Sequence, residues 1–380
     1  MKKKYIIFSI VTLVLLITFV TSFNYFKTTN TYVENNSNNQ TKITKGISMN
    51  LEQTAGAGDY KTVTRSSWPT ERYNFNAELS RCENGSTLSW DDTKKAVIVS
   101  GNLSDKCYVY FDLARFDETC DGSTLACRIA KQYTGTQGEN SLYYHDSTLT
   151  NGAGDNSYRY AGASNNVNNY ICLGSDATTC PDANLFRIIG VFGDQTKVIR
   201  AKSVGDKEWD TNDSNTWSTS SLNTYLNGEY LTSLGTLADK IATTTWKVGG
   251  GSTTYLYDVP KTAYQYEVGS SASTTTYDAK IGLMYVSDYG FAADQSGWTT
   301  KLSSYNSNKS KNWLNTGKYI EWTISRYSGN TNLAFGVNST GYVDNYNVTK
   351  SYVVRPSFNL ESSVKYVSGS GSMSDPVRVN

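Results

Sequence analysis

The stretch Glu208-Trp209-Asp210-Thr211-Asn212-Asp213-Ser214-Asn215-Thr216-Trp217 gathers the residues best suited to chemistry. Asp210, Asn212, Asp213 and Asn215 supply hard oxygen donors within one turn-rich loop, the ligand type that calcium prefers. Trp209 and Trp217 flank the loop, as aromatic faces flank a sugar or a partner surface. The spacing departs from a helix–loop–helix calcium site. No glycine stands at its centre, and Ser221 occupies the place of the bidentate Glu. The competing reading is an Asx-rich turn whose side chains bond their own backbone and lead into a helix cap. No other cofactor is called for.

Nucleophilic catalysis has little to draw on. His145, in Tyr143-Tyr144-His145-Asp146, is the only histidine, and nothing beside it forms a Ser-His or Cys-His dyad. A structural role beside two tyrosines is the simpler reading. Glycines 152, 154 and 162 allow tight turns, but without a following G-K-[ST] they do not make a phosphate loop. Two carboxylates at a set separation would suffice for a glycosidase, and that separation cannot be read from sequence. Trp246, Trp298, Trp313 and Trp322 read as core residues with satisfied indole N–H groups rather than stacking platforms. Arg326 and Arg355 read as strand anchors bonding backbone carbonyls, a role that sequence does not separate from ligand contact. No catalytic residue is assigned.

The elements that must position these residues follow an export signal. Lys2-Lys3-Lys4 precede the apolar run Ile6–Phe23, about 18 residues or roughly 27 Å as a helix, which spans a hydrocarbon core. The lysines favour a cytoplasmic N-terminus. Residues 1–26 therefore read as a signal-anchor, with Tyr25, Phe26 and Lys27 at the outer interface. The cleaved-signal alternative would use the weak Val20-Thr21-Ser22 site and leave the protein secreted. Either way the bulk is extracellular, tied to the membrane by at most one N-terminal helix.

Six cysteines, Cys82, Cys107, Cys120, Cys127, Cys172 and Cys180, are even in number and all follow the anchor. In an exported chain they read as disulfides with 15 connectivities to choose from. Spacing favours Cys82–Cys107, Cys120–Cys127 and Cys172–Cys180, with exchange among the last four left open. The lack of a C-x-x-C motif argues against zinc. Lys plus Arg (35) balances Asp plus Glu (34), so no basic field is available for nucleic acid. The 29 Tyr and 8 Trp, with only 5 Pro, suit pleated, half-buried strands.

Composition divides the exported part further. Residues 27–67 are polar and read as a stalk, with pairing near Tyr60 to Val63 left open. Residues 68–116 carry AVIVSG and KCYVYFDLARF between turn signals, a small antiparallel β module stapled by one disulfide. Residues 117–184 are loop-rich and belong with the C-terminal unit. Residues 185–380 alternate short strands with a few short helices. They include a hairpin at Gly193-Asp194 and a helix capped by Ser220 or Ser221 and ended by Gly228. The fold class is α+β.

Several segments also resemble a recurring domain in anchored surface proteins of Gram-positive anaerobes. They are Phe186-Arg187-Ile188-Ile189-Gly190-Val191-Phe192, Ile281-Gly282-Leu283-Met284-Tyr285, Trp322-Thr323-Ile324-Ser325 and Val354-Arg355-Pro356-Ser357-Phe358-Asn359-Leu360. The ending with Ser374-Asp375-Pro376, GAGDNSYRYAGA and NNYICLGSD extend the likeness over Leu142 to Asn380. That domain is distantly similar to the formylglycine-generating-enzyme and C-type-lectin-like fold, which implies an irregular short-stranded core with loops free to bind. The late cysteine pair of the enzyme and the E-P-N or Q-P-D lectin motifs are absent, and function lives in sites rather than folds. The expectation is a surface protein that binds or adheres to glycan or protein. The alternatives are a structural envelope component or a carboxylate-based hydrolase.

Overall fold

The computed structural model describes residues 46–53, 55–63, 72–102, 105–317 and 319–380. The signal-anchor at 1–26 lies outside the described residues. Among the described residues no helix is long and apolar enough to cross a membrane. The chain divides into two compact units, with the boundary in sequence between Ala114 and Arg115.

In the first unit a four-stranded sheet runs in the order Tyr60–Val63, Ile47–Glu52, Cys107–Leu113, Tyr73–Cys82. The predicted stalk is thereby corrected. Residues 47–52 and 60–63 are strands, because Met49 and Leu51 bury their side chains with Val109 and Phe111. Between residues 72 and 113 the paired strands are antiparallel. Ile47–Glu52 runs parallel to Cys107–Leu113, pairing Ile47 with Cys107 and Leu51 with Phe111. A hairpin of Thr87–Asp91 and Ala96–Ser100 adds Val97 and Val99 to this core. Cys82 and Cys107 are direct cross-strand partners and form the first disulfide.

The second unit holds residues 115–380, the loop-rich passage 117–184 among them. That passage lends the strands Leu142–His145, Ser157–Tyr160 and Tyr170–Cys172 to an eight-stranded sheet. At the centre of that sheet is the hairpin of Leu185–Phe192 and Gln195–Arg200, turning at Gly193, whose φ of 62° suits glycine. Ser357–Leu360 flanks Gln195–Arg200 on the other side. A five-stranded sheet is ordered Asp206–Glu208, Ser351–Val353, Glu321–Arg326, Leu333–Val337, Val343–Asn347. Thr244–Lys247 pairs with Thr276–Ala279. One continuous core from Leu125 to Val377 joins these sheets to short helices.

Ser220 caps its helix by accepting from Asn223 N at 3.1 Å. That helix does not stop at Gly228. Residues Leu226–Tyr230 form a π turn and the helix continues through Leu231–Ser233, with the left-handed φ of 56° falling at Gly235. Cys120–Cys127 and Cys172–Cys180 complete the disulfides, so all six cysteines are paired as nearest neighbours. Such pairing belongs to an oxidising, extracellular environment.

Candidate functional site

The predicted calcium loop is a structural loop. Both Asp210 oxygens are taken by backbone N–H groups, Oδ2 by Asn212 and Ser214 and Oδ1 by Ser221 at 2.9 Å. Asn215 is buried and donates to the carbonyls of Tyr327, Asn330 and Leu333. Asp213 accepts from Asn332 and Asn347, while Asn212 is exposed. Trp209 and Trp217 present no face to a ligand. Both are buried with ring centroids 5.2 Å apart, and Trp209 Nε1 donates to Thr323 O. The apolar area of two indoles favours the core over the surface, and there they pin the loop to the five-stranded sheet.

Other sequence readings agree with the structure. Trp246, Trp298, Trp313 and Trp322 are buried with indole N–H groups bonded to the carbonyls of Ala279, Ala293, Tyr160 and Lys207. Arg326 reaches Gly249 O, and Arg355 joins Leu314 O to the Glu321 carboxylate. His145 is packed against Phe291 and Trp298, and its Nδ1 accepts from Ala153 N. Burial and then Arg159 drive its pKa down to about 3.

The most organised polar site grows from a row across the large sheet. Asn359 pairs with Lys197, Lys197 with Gly190, and Gly190 with Arg159. Residues directly opposite in register share a face, so two cations flank a residue with no side chain. Gly190 is required there by crowding: a Cβ would meet the Tyr158 carbonyl oxygen at 2.2 Å. Asp288 completes the site from the helix Val286–Phe291, where its Oδ2 also caps the turn by accepting from Tyr285 N at 2.9 Å.

The resulting chain of charges is Asp155–Arg159–Asp288–Lys197. Arg159 donates to Asp155 at 2.6 Å and to Asp288 at 3.5 Å, and Lys197 donates to Asp288 at 2.5 Å. Arg159, Lys197 and Asp288 are all buried. Burial lowers the Lys197 pKa, with Asp288 opposing and Arg159 reinforcing the fall. Burial also opposes charge on Arg159, but Asp155 and Asp288 outweigh it and hold the guanidinium above its ordinary range. Aromatic rings supply further support: Lys197 lies 4.5 Å from the Tyr285 centroid, and Arg159 lies 4.6 Å from that of Phe192.

These groups form the floor of a cleft of about 250 Å³, with Trp246, Tyr264 and Phe192 in its walls and Thr244, Thr245 and Asn359 also lining it. Asn359 donates to Thr244, while its own Oδ1 is buried and lacks a partner among the described residues. Lys197 has three ammonium hydrogens, and Asp288 is their one hydrogen-bond partner among the described residues. The cleft thus offers donors and an open acceptor beside aromatic walls, an arrangement suited to a small hydroxylated ligand. Burial raises the carboxyls of Glu267 and Glu321, but their oxygens serve Val286, Ser287 and Ser325 in one case and Arg355 in the other.

Sequence reasoning passed over Arg159, Lys197, Tyr285, Asp288 and Asn359. The available signal was a cation inside an apolar strand, as in Thr196-Lys197-Val198-Ile199, where a buried charge demands a partner. The model of a family described as Domain of unknown function (DUF6273) matches residues 193–362, less than half of the chain. Lys197, Trp246, Tyr285, Asp288 and Asn359 fall inside that segment, and Asp155, Arg159 and Phe192 precede it. No curated protein and no solved structure matches the chain.

Proposed function

We propose that the chain is a surface-binding protein of the cell exterior, tethered through its N-terminal apolar segment, and that its C-terminal unit captures the end of a glycan. The observation that carries this reading is the Lys197–Asp288 cleft, where unspent hydrogen-bond capacity meets Trp246, Tyr264 and Phe192. Aromatic rings cover the apolar face of a sugar while charged groups bond its hydroxyls. A cleft of about 250 Å³ is smaller than the ~300–1,000 Å³ of drug-sized sites, which favours one terminal residue over an extended chain. Adhesion follows when many copies on one surface engage clustered ends.

The test is a glycan microarray screen of the purified chain alongside Thr245→Trp. Thr245 is exposed and lines the cleft without joining the ion pairs, so the indole blocks the opening and leaves the floor intact. The expected result is a defined set of bound glycans that the variant loses. A wild-type chain that captures none of them refutes the reading.

A further inference from the structure

A second cleft, of about 390 Å³, lies in the C-terminal unit, lined in part by Arg200, Tyr225, Tyr230, Val204, Leu234 and Leu237. Arg200 is the last residue of the strand Gln195–Arg200, held by its backbone N–H to Pro356 O. Tyr230 closes the π turn Leu226–Tyr230. A π turn inside a helix is uncommon and recurs at functional sites, because the extra residue re-aims the side chains around it.

The chemistry of this cleft is unfinished. Nε of Arg200 and the hydroxyl of Tyr230 are buried, and neither has a hydrogen-bond partner among the described residues. Among the described residues no carboxylate pairs with Arg200, whose charge opposes the burial-driven rise of the Tyr225 and Tyr230 phenols. Lys207 sits 3.7 Å from the centroid of the Tyr225 ring and adds positive potential. Glu229 is the acidic neighbour and acts on Tyr225. Buried polar groups are normally satisfied, and each orphan carries its desolvation penalty uncompensated. Two orphan donors therefore line one cleft, and a hydrogen-bond acceptor would match both.

We propose that this cleft is a carboxylate-binding site, in which the guanidinium of Arg200 takes the carboxylate and the Tyr230 hydroxyl donates to one of its oxygens. The planar fork of arginine matches a carboxylate in two parallel bonds, which a lysine cannot reproduce. Val204, Leu234 and Leu237 then cover the carbon skeleton that bears the anion. This site is independent of the Lys197–Asp288 cleft, where the carboxylates are already supplied by the protein.

Titration calorimetry of the whole chain with sodium glucuronate at fixed ionic strength, with glucose as the neutral control, tests the assignment. Saturable binding of glucuronate and none of glucose is expected. Arg200→Gln should abolish it, Arg200→Lys should weaken it about tenfold or more, and Tyr230→Phe should weaken it about ten- to a hundredfold, as for loss of a hydrogen bond to a charged group. Tyr230→Phe separates a ligand donor from a structural one. It removes an unpaired hydroxyl, so the melting temperature without ligand should hold or rise while affinity falls. Three outcomes overturn the proposal: no saturable binding, equal affinity in Arg200→Gln, or a Tyr230→Phe protein that melts lower and binds unchanged.

Discussion

The two clefts of the C-terminal unit treat their cations in opposite ways. In one, Lys197 and Arg159 are surrounded by Asp288 and Asp155 within hydrogen-bond distance. In the other, Arg200 meets tyrosines and no acid. A paired buried charge is held by its partners, so removing one member exposes the full desolvation cost of the rest. An unpaired charge in a cleft contributes little to folding and keeps its bonding capacity for something outside the chain. The first arrangement builds and orients a floor, and the second awaits a ligand.

The contrast is broken most directly at Arg159. Arg159→Met leaves Asp155 without its cationic partner and deprives Asp288 of one of its two cations, and should cost about 3–5 kcal/mol of unfolding free energy, read as a fall in the denaturant midpoint at unchanged slope. A loss below about 1 kcal/mol would show that the two clefts do not differ as described. His145 comes next, because Arg159 contributes to keeping it neutral. Its folded pKa of about 3 lies below the ordinary 6.5, so the unfolded chain binds the extra proton first. The stabilisation is complete above pH 6.5 and is lost as pH falls toward 3, amounting to about 3 kcal/mol by pH 4. His145→Phe should flatten this part of the pH–stability profile, measured by denaturation at pH 7 and pH 4.

Smaller effects belong to the unpaired cleft. Arg200→Gln should change stability by less than about 1 kcal/mol, since no ion pair is broken, and a larger loss in a thermal melt would mean that the residue has a structural partner. Tyr230→Phe should fall within about 0.5 kcal/mol of wild type or be slightly more stable. Comparing its melting temperature with that of Arg159→Met sets the two ends of the scale.

Reading the chain residue by residue recovers what depends on near neighbours. The Gly193 turn and the Ser220 cap follow from turn chemistry and capping within a few residues, and the burial of the tryptophans follows from their apolar area. The Asp210 loop was legible only as a pair of alternatives. Its calcium and Asx-turn readings use the same oxygens, and the choice fell to Ser221 and to the carbonyls at Tyr327, Asn330 and Leu333. Gly228 misled because a π turn absorbs it and moves the helix end to Gly235. The strand Ile47–Glu52 escaped notice since its partner, Cys107–Leu113, is about sixty residues away and supplies the burial that six residues lack alone.

By itself, then, the order of residues favoured nearest-neighbour pairing of the cysteines without deciding it, and determined the strand-rich character of the chain and the alternation of turns and strands, because these last two rest on interactions along a few consecutive residues. Tertiary structure alone decided which charges meet. Arg159, Lys197 and Asp288 come from three separate elements and converge only when Gly190 lets two strands close up and a helix N-terminus presents its carboxylate. Arg200 and Tyr230 share a cleft through the same kind of long-range placement. Register across a sheet sets such meetings, and a one-residue slip would turn the strand residues Arg159, Lys197 and Arg200 to the opposite face.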